Sequence, residues 1–93
     1  MSDRKRTGAI YAAIRLALRW AGWHVIDTSR VGEGFPDLLA ARSTRLVLVT
    51  VTDGTKAKRR QRLTVPQLRT REALLAAGVR VVVVTSVDDA LKL

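Results

Sequence analysis

Cysteine is absent from the 93-residue chain, which excludes a disulfide scaffold, a Cys-ligated zinc or iron–sulfur centre and a thiol nucleophile. Histidine occurs once, at position 24, so a His-rich metal site is excluded and a serine-type triad would have to be built around His24. Aromatic residues number only two Trp, one Tyr and one Phe, and proline occurs twice. No apolar run approaches the roughly 20 residues that a membrane-spanning helix needs. The opening Met1-Ser2-Asp3-Arg4-Lys5-Arg6 is basic, but Arg15 and Arg19 interrupt the apolar stretch after it, so it does not read as a signal peptide. The expectation is a single globular domain, residues 1–93, of cytoplasmic type.

Acidic residues are scarce too: eight, against seventeen Lys and Arg, for a formal net charge of +9. The remaining composition, 47% apolar and 27% charged, is that of a folded domain with one modest core. Such an excess of positive charge favours polyanionic partners, nucleic acid above all. Lys56, Lys58, Arg59, Arg60 and Arg62 crowd into seven residues, and Arg4, Lys5 and Arg6 form a second cluster. A merely solubilising surface is the bland alternative. An anionic membrane surface fits less well, because the basic runs lack apolar and aromatic partners at helical spacing.

Ile10, Ile14, Ala17, Leu18 and Ala21 recur at helical spacing and predict a helix from Asp3 to Ala21, capped by Ser2 or Asp3 and closed by Gly22. Arg15 and Arg19 share its polar face. Trp23 to Thr28 reads as a strand, Val31 to Pro36 as a glycine-rich loop and Asp37 to Ala41 as a second strand. Leu46 to Thr52 is apolar on both faces and therefore central in a sheet. Thr64-Val65-Pro66-Gln67 starts a helix with a capping box, Leu68, Leu74, Leu75 and Ala76 give it an apolar face, and Gly78 ends it. Val79 to Thr85 is a strand, and Ser86 caps a short last helix. The order is α-β-β-β-α-β-α, with room for a parallel crossover between Leu46 and Thr85.

Four blocks in this order resemble the PD-(D/E)XK nuclease superfamily, and more narrowly its small stand-alone VRR-NUC proteins of phages. They are Gly34-Phe35-Pro36-Asp37-Leu38-Leu39, the strand Leu46 to Thr52 with Asp53-Gly54, Leu63-Thr64-Val65-Pro66-Gln67, and Val82 through Leu91. The resemblance implies a restriction-endonuclease-like α/β fold, a mixed four-stranded sheet flanked by helices. It also implies a homodimer in a bacterial or phage-infected cell and an Mg2+- or Mn2+-dependent cut in DNA. Asp37 would be the first metal-binding carboxylate and Gln67 a matching active-site residue. The second acid and the lysine, two apart on one strand face, correspond to Thr50 and Thr52. Ile10 and Tyr11 stand where relatives carry a polar pair.

These replacements remove the second carboxylate and the ammonium that would hold a water and offset phosphate charge. Losing one such contact typically costs about 10²–10³ in rate. The simplest reading is a nuclease fold that has lost its chemistry, uses no cofactor and binds structured or branched DNA. Lys56, Lys58, Arg59, Arg60, Arg62, Arg15 and Arg19 would carry the phosphates. One rival is an active Mg2+- or Mn2+-dependent endonuclease or Holliday-junction resolvase. A strand bulge would there turn Asp53 inward, Glu33 would be a further oxygen donor, and Lys56 or Arg71 would supply the charge. A second rival is a protein-interaction module with the basic loop as its docking surface. Each residue also has a plainer role: Asp37 satisfying loop amides, Gln67 capping its helix, His24 structural, and Trp20 and Trp23 in the core or a dimer contact.

Overall fold

The computed structural model describes residues 8–54 and 63–93. The N-terminal cap at Ser2 or Asp3 and the cations Arg4, Lys5, Arg6, Lys56, Lys58, Arg59, Arg60 and Arg62 lie outside the described residues. Helix α1 (Gly8–Trp20) buries Ile14, Ala17 and Leu18 along one stripe. It closes in a Schellman motif: Gly22 N–H donates to Arg19 O, and Trp23 N–H to Leu18 O, with Gly22 at φ +93°. Strands β1 (His24–Asp27), β2 (Leu38–Arg42) and β3 (Arg45–Val51) form an antiparallel meander. Helix α2 (Val65–Ala76) then leads to β4 (Val81–Val84), which pairs parallel to β3. Helix α3 (Val87–Leu91) comes last, capped by Ser86. The sheet order is β1-β2-β3-β4, so β3 is central, as its two-sided apolar character requires.

The period-2 alternation of the strands separates two faces. Val25, Leu38, Ala40, Val47, Val49, Val51 and Val84 point to one face and pack with Ile14, Leu18 and Trp23 beneath α1 and with Ala90 of α3. Leu48, Thr50 and Val81, also buried, belong to the opposite face. Sequence and structure therefore agree on a mixed α/β fold with a four-stranded mixed sheet flanked by helices.

Helix α2 departs from expectation. Of the predicted apolar face, only Leu74 is partly buried, while Leu68, Leu75 and Ala76 are exposed. The positions turned inward are Gln67, Thr70, Arg71 and Leu74, and no residue of the helix is fully buried. Its rotation is set at the N-terminal end instead. The capping box forms as predicted, with Thr64 N–H donating to Gln67 Oε1 at 2.7 Å and Gln67 N–H to Thr64 Oγ1 at 3.3 Å. Gly34, at φ +74°, lies so close to the backbone of Pro66 and Gln67 that a Cβ there would collide with both. Thr70 Oγ1 donates to Glu33 O. These fixings to the glycine loop outweigh a weak apolar stripe.

Candidate functional site

The end of the sheet formed by the last residues of β1, β3 and β4 and the start of β2 holds the residues that the sequence singled out. The β2–β3 register ends at Leu38↔Val49, with Asp37 one residue before it, while Thr50 and Thr52 are two apart on one face of β3 and its extension. Asp37 N–H donates to Val49 O at 2.8 Å, and Thr28 N–H donates to Asp37 O at 2.8 Å. Pro36 has no N–H and its carbonyl accepts from Thr28 Oγ1 at 2.8 Å. The Asp37 carboxylate takes over on the β3 side, where its Oδ2 accepts Val51 N–H at 2.7 Å. Burial pushes the Asp37 carboxyl above its ordinary value; the Val51 hydrogen bond opposes this, and the nearby Asp27 carboxylate adds to it.

Thr50 and Thr52 are 3% and 8% exposed. The Thr52 hydroxyl is buried with no hydrogen-bond partner among the described residues. Beyond it the ladder loses its regular step: Thr52 N–H donates to Val84 O, but Gly54 N–H donates to Thr85 O. Two residues of one strand thus face one of the other, a bulge-like step with Asp53 as the extra residue. Strict alternation no longer fixes its direction. A hard divalent cation takes six or more oxygens, with carboxylates among them. The donors here are the Asp37 carboxylate, already accepting an amide, the nearby Asp27 carboxylate and the neutral hydroxyls of Thr50 and Thr52, and the described residues contain no group of three His, Cys, Asp or Glu that could hold a metal ion.

Tyr11, in the first turns of α1, lies against Asp27 and Ser29, which brings the start of α1 to this same end. Burial first, then the Asp27 carboxylate, push its phenol up to about 12, against the opposing pull of Arg15. The hydroxyl nevertheless has no partner at full hydrogen-bond geometry. The Arg15 guanidinium sits 5.6 Å from the Tyr11 ring centroid, and its Nε is buried without a partner. With Ala12, Leu16 and Arg19 it lines a shallow groove on the outer side of α1. Comparison of the chain with protein-family models, curated proteins and solved structures gives no match.

The remaining candidates are dispersed. Glu33 is exposed at φ +56° in the glycine loop, and Arg71 Nε is buried without a partner on the inner side of α2. His24 is exposed on β1. Trp23 is core, but Trp20 is 83% exposed, so a core role for Trp20 is corrected: it lies at the last position of α1, where the chain turns away before any element covers it. Sequence reasoning missed two features. One is Tyr11 against Asp27; the other is the pair Arg42 and Arg45, whose guanidiniums lie 4.6 and 5.3 Å from the Trp23 ring centroid. The arginine pair had one local signal, the two-residue turn Ser43-Thr44 that makes its flanking residues cross-strand partners.

Proposed function

We propose that this chain is a nucleic-acid-binding protein on a restriction-endonuclease-like fold of the VRR-NUC type, with little or no nuclease chemistry. The observation that carries the reading is the attachment of both basic segments at one end of the sheet. Residues 1–7 and 55–62 hold eight of the seventeen cations against one acid. The first segment joins the chain at Gly8, beside the α1 turns that meet Asp27, and the second runs between Gly54, bonded to Thr85, and the capped start of α2. Between those attachment points are Asp37, Thr50 and Thr52. A Glu at position 50 would repel an incoming phosphate, whereas a threonine hydroxyl does not. The meander with β4 parallel to β3, and the bonds that tie Asp37 to Val49 and Val51 of β3, support the fold assignment.

Binding through phosphates gives little sequence preference, so shape would select the target, a branched or four-way DNA junction. Two copies in a homodimer would present two such ends to one junction. The test is a gel shift of a labelled four-way junction in EDTA, then incubation in Mg2+ and in Mn2+. Expected are binding without cleavage and a log–log salt slope of roughly −5 if five or six phosphates are neutralised at about −0.9 each. Replacing Lys56, Lys58, Arg59, Arg60 and Arg62 together with Gln should abolish most of that slope. A slope near zero would overturn the reading.

The bulge-like step at Asp53 favours one second reading, an endonuclease whose second carboxylate has migrated. Metal-dependent cleavage that disappears in both Asp37→Ala and Asp53→Asn would establish it.

A further inference from the structure

We propose that the opposite end of the sheet carries a second contact, for single-stranded nucleic acid, formed by Arg19, Trp20, Arg42 and Arg45 around Trp23. This surface shares only Arg19 with the interface proposed above and does not depend on a nuclease ancestry. Arg42 and Arg45 are directly opposite one another as the closing pair of the β2–β3 hairpin. Like charges in that position are destabilising, and an acid nearby would be the ordinary remedy. Among the described residues none is there. Asp27, Glu33, Asp37 and Asp53 lie at the other end of the strands, Asp88 and Asp89 begin α3 at that end too, and Glu72 is on α2 across the sheet. The described residues instead offset the pair with one aromatic ring and one carbonyl. Both guanidiniums stack over Trp23, and Arg42 Nη1 donates to Ala21 O at 2.6 Å, at the C-terminal end of α1. Four of the five Arg42 donors remain, and Arg45 is exposed.

Trp20, 83% exposed, ends α1 directly before Ala21, whose carbonyl accepts from Arg42, and Arg19 precedes it. An indole this open to water gains little from burial, and it offers a face on which an unpaired base can stack while arginines hold the flanking phosphates. Duplex DNA keeps its bases stacked on one another and cannot use that face, so the combination selects single strands. A second copy of the chain fits poorly, because a two-fold contact would set Arg19 and Arg45 of one copy against those of the other. The seven residues of β3 separate the two ends by about 20 Å at roughly 3.3 Å per residue. Both ends can therefore be occupied at once, as at a junction with a single-stranded arm.

The test is fluorescence anisotropy with an oligothymidylate of about 15 nucleotides, a parallel oligouridylate arm, and a duplex of the same length. Trp20→Ala and Arg45→Gln change exposed side chains outside the first interface, and circular dichroism with a thermal melt confirms that they fold. Each is expected to weaken single-strand binding by about tenfold or more while duplex binding changes less than about twofold. Arg45→Gln should also reduce the salt slope by about 0.7, the value for one phosphate on a single strand. Loss of junction binding in the 56–62 variant, with oligothymidylate binding intact, would keep this surface independent of the first. Unchanged single-strand affinity in the folded variants overturns the proposal. So does a Trp20→Ala variant that turns a dimer into a monomer in sedimentation without affecting oligonucleotide binding.

Discussion

Asp37 accepts a backbone amide at the place where Pro36 interrupts the strand ladder, and a carboxylate is more than that task needs. Its pKa is raised in the folded state, chiefly by burial. A raised carboxyl contributes stability that is fully present below the unfolded value of about 3.9 and is lost as pH rises through the folded value. Asp37→Asn keeps an acceptor for Val51 N–H and removes the buried charge. It should raise the melting temperature at pH 7 and flatten the decline of stability above about pH 4, both measurable by thermal melts across pH. Asp89 has the opposite sign: Thr85 donates to its carboxylate from both Oγ1 and N–H and holds its pKa down, so its share of stability is lost on acidification. Gly34 makes a sterically strict prediction. Its positive φ and its approach to Pro66 mean that Gly34→Ala should cost about 1–3 kcal/mol in a denaturant titration, whereas Gly78→Ala, with no neighbour within reach, meets only the backbone penalty. Much at this scale is written in the sequence, because caps and C′ glycines depend on neighbours a few residues away. The Arg42–Trp23–Arg45 stack is not, since it requires knowing which face of β1 and β2 receives α1.

The two long helices are held in different ways. In α1 the apolar spacing and the burial coincide, so Leu18→Ala should cost about 2–5 kcal/mol. In α2 the inner positions are mostly polar and the exposed ones include Val65, Leu68 and Leu75. Leu68→Ser and Leu75→Ser are therefore expected to shift stability by no more than about 0.5 kcal/mol in the same titration. Amide exchange should further show α2 opening well below the global unfolding free energy while β3 is protected to that limit. The strands were legible to within a residue or two because alternation and β-branching are strong in Leu46 to Thr52 and Val79 to Thr85. The orientation of α2 was not legible, because it is dictated by Gly34 and Glu33, some 30 positions earlier in the chain.

Across the whole molecule the charges divide by location. Most described acids cluster at the end of the sheet where the two cationic segments attach, and among the described residues the hairpin end is purely basic. The formal +9 also bears on a feature of the sheet itself. β4 is its last strand, four consecutive valines, and no strand among the described residues pairs with its outer side. An open valine edge is a template on which another chain can add, and natural proteins usually guard such an edge with lysine or proline. Here the guard is long-range: the net positive charge opposes edge-to-edge addition while the Debye length is near 10 Å and weakens as it shrinks to about 3 Å in molar salt. Turbidity or light scattering should therefore grow with added salt, the reverse of what salting-in of a basic protein would give, and Val83→Lys should suppress it. On the proposed reading, stripping a nucleic-acid ligand with high salt during purification would expose the chain to its own self-association, so that the proposed ligand would also act as the solubiliser of the fold.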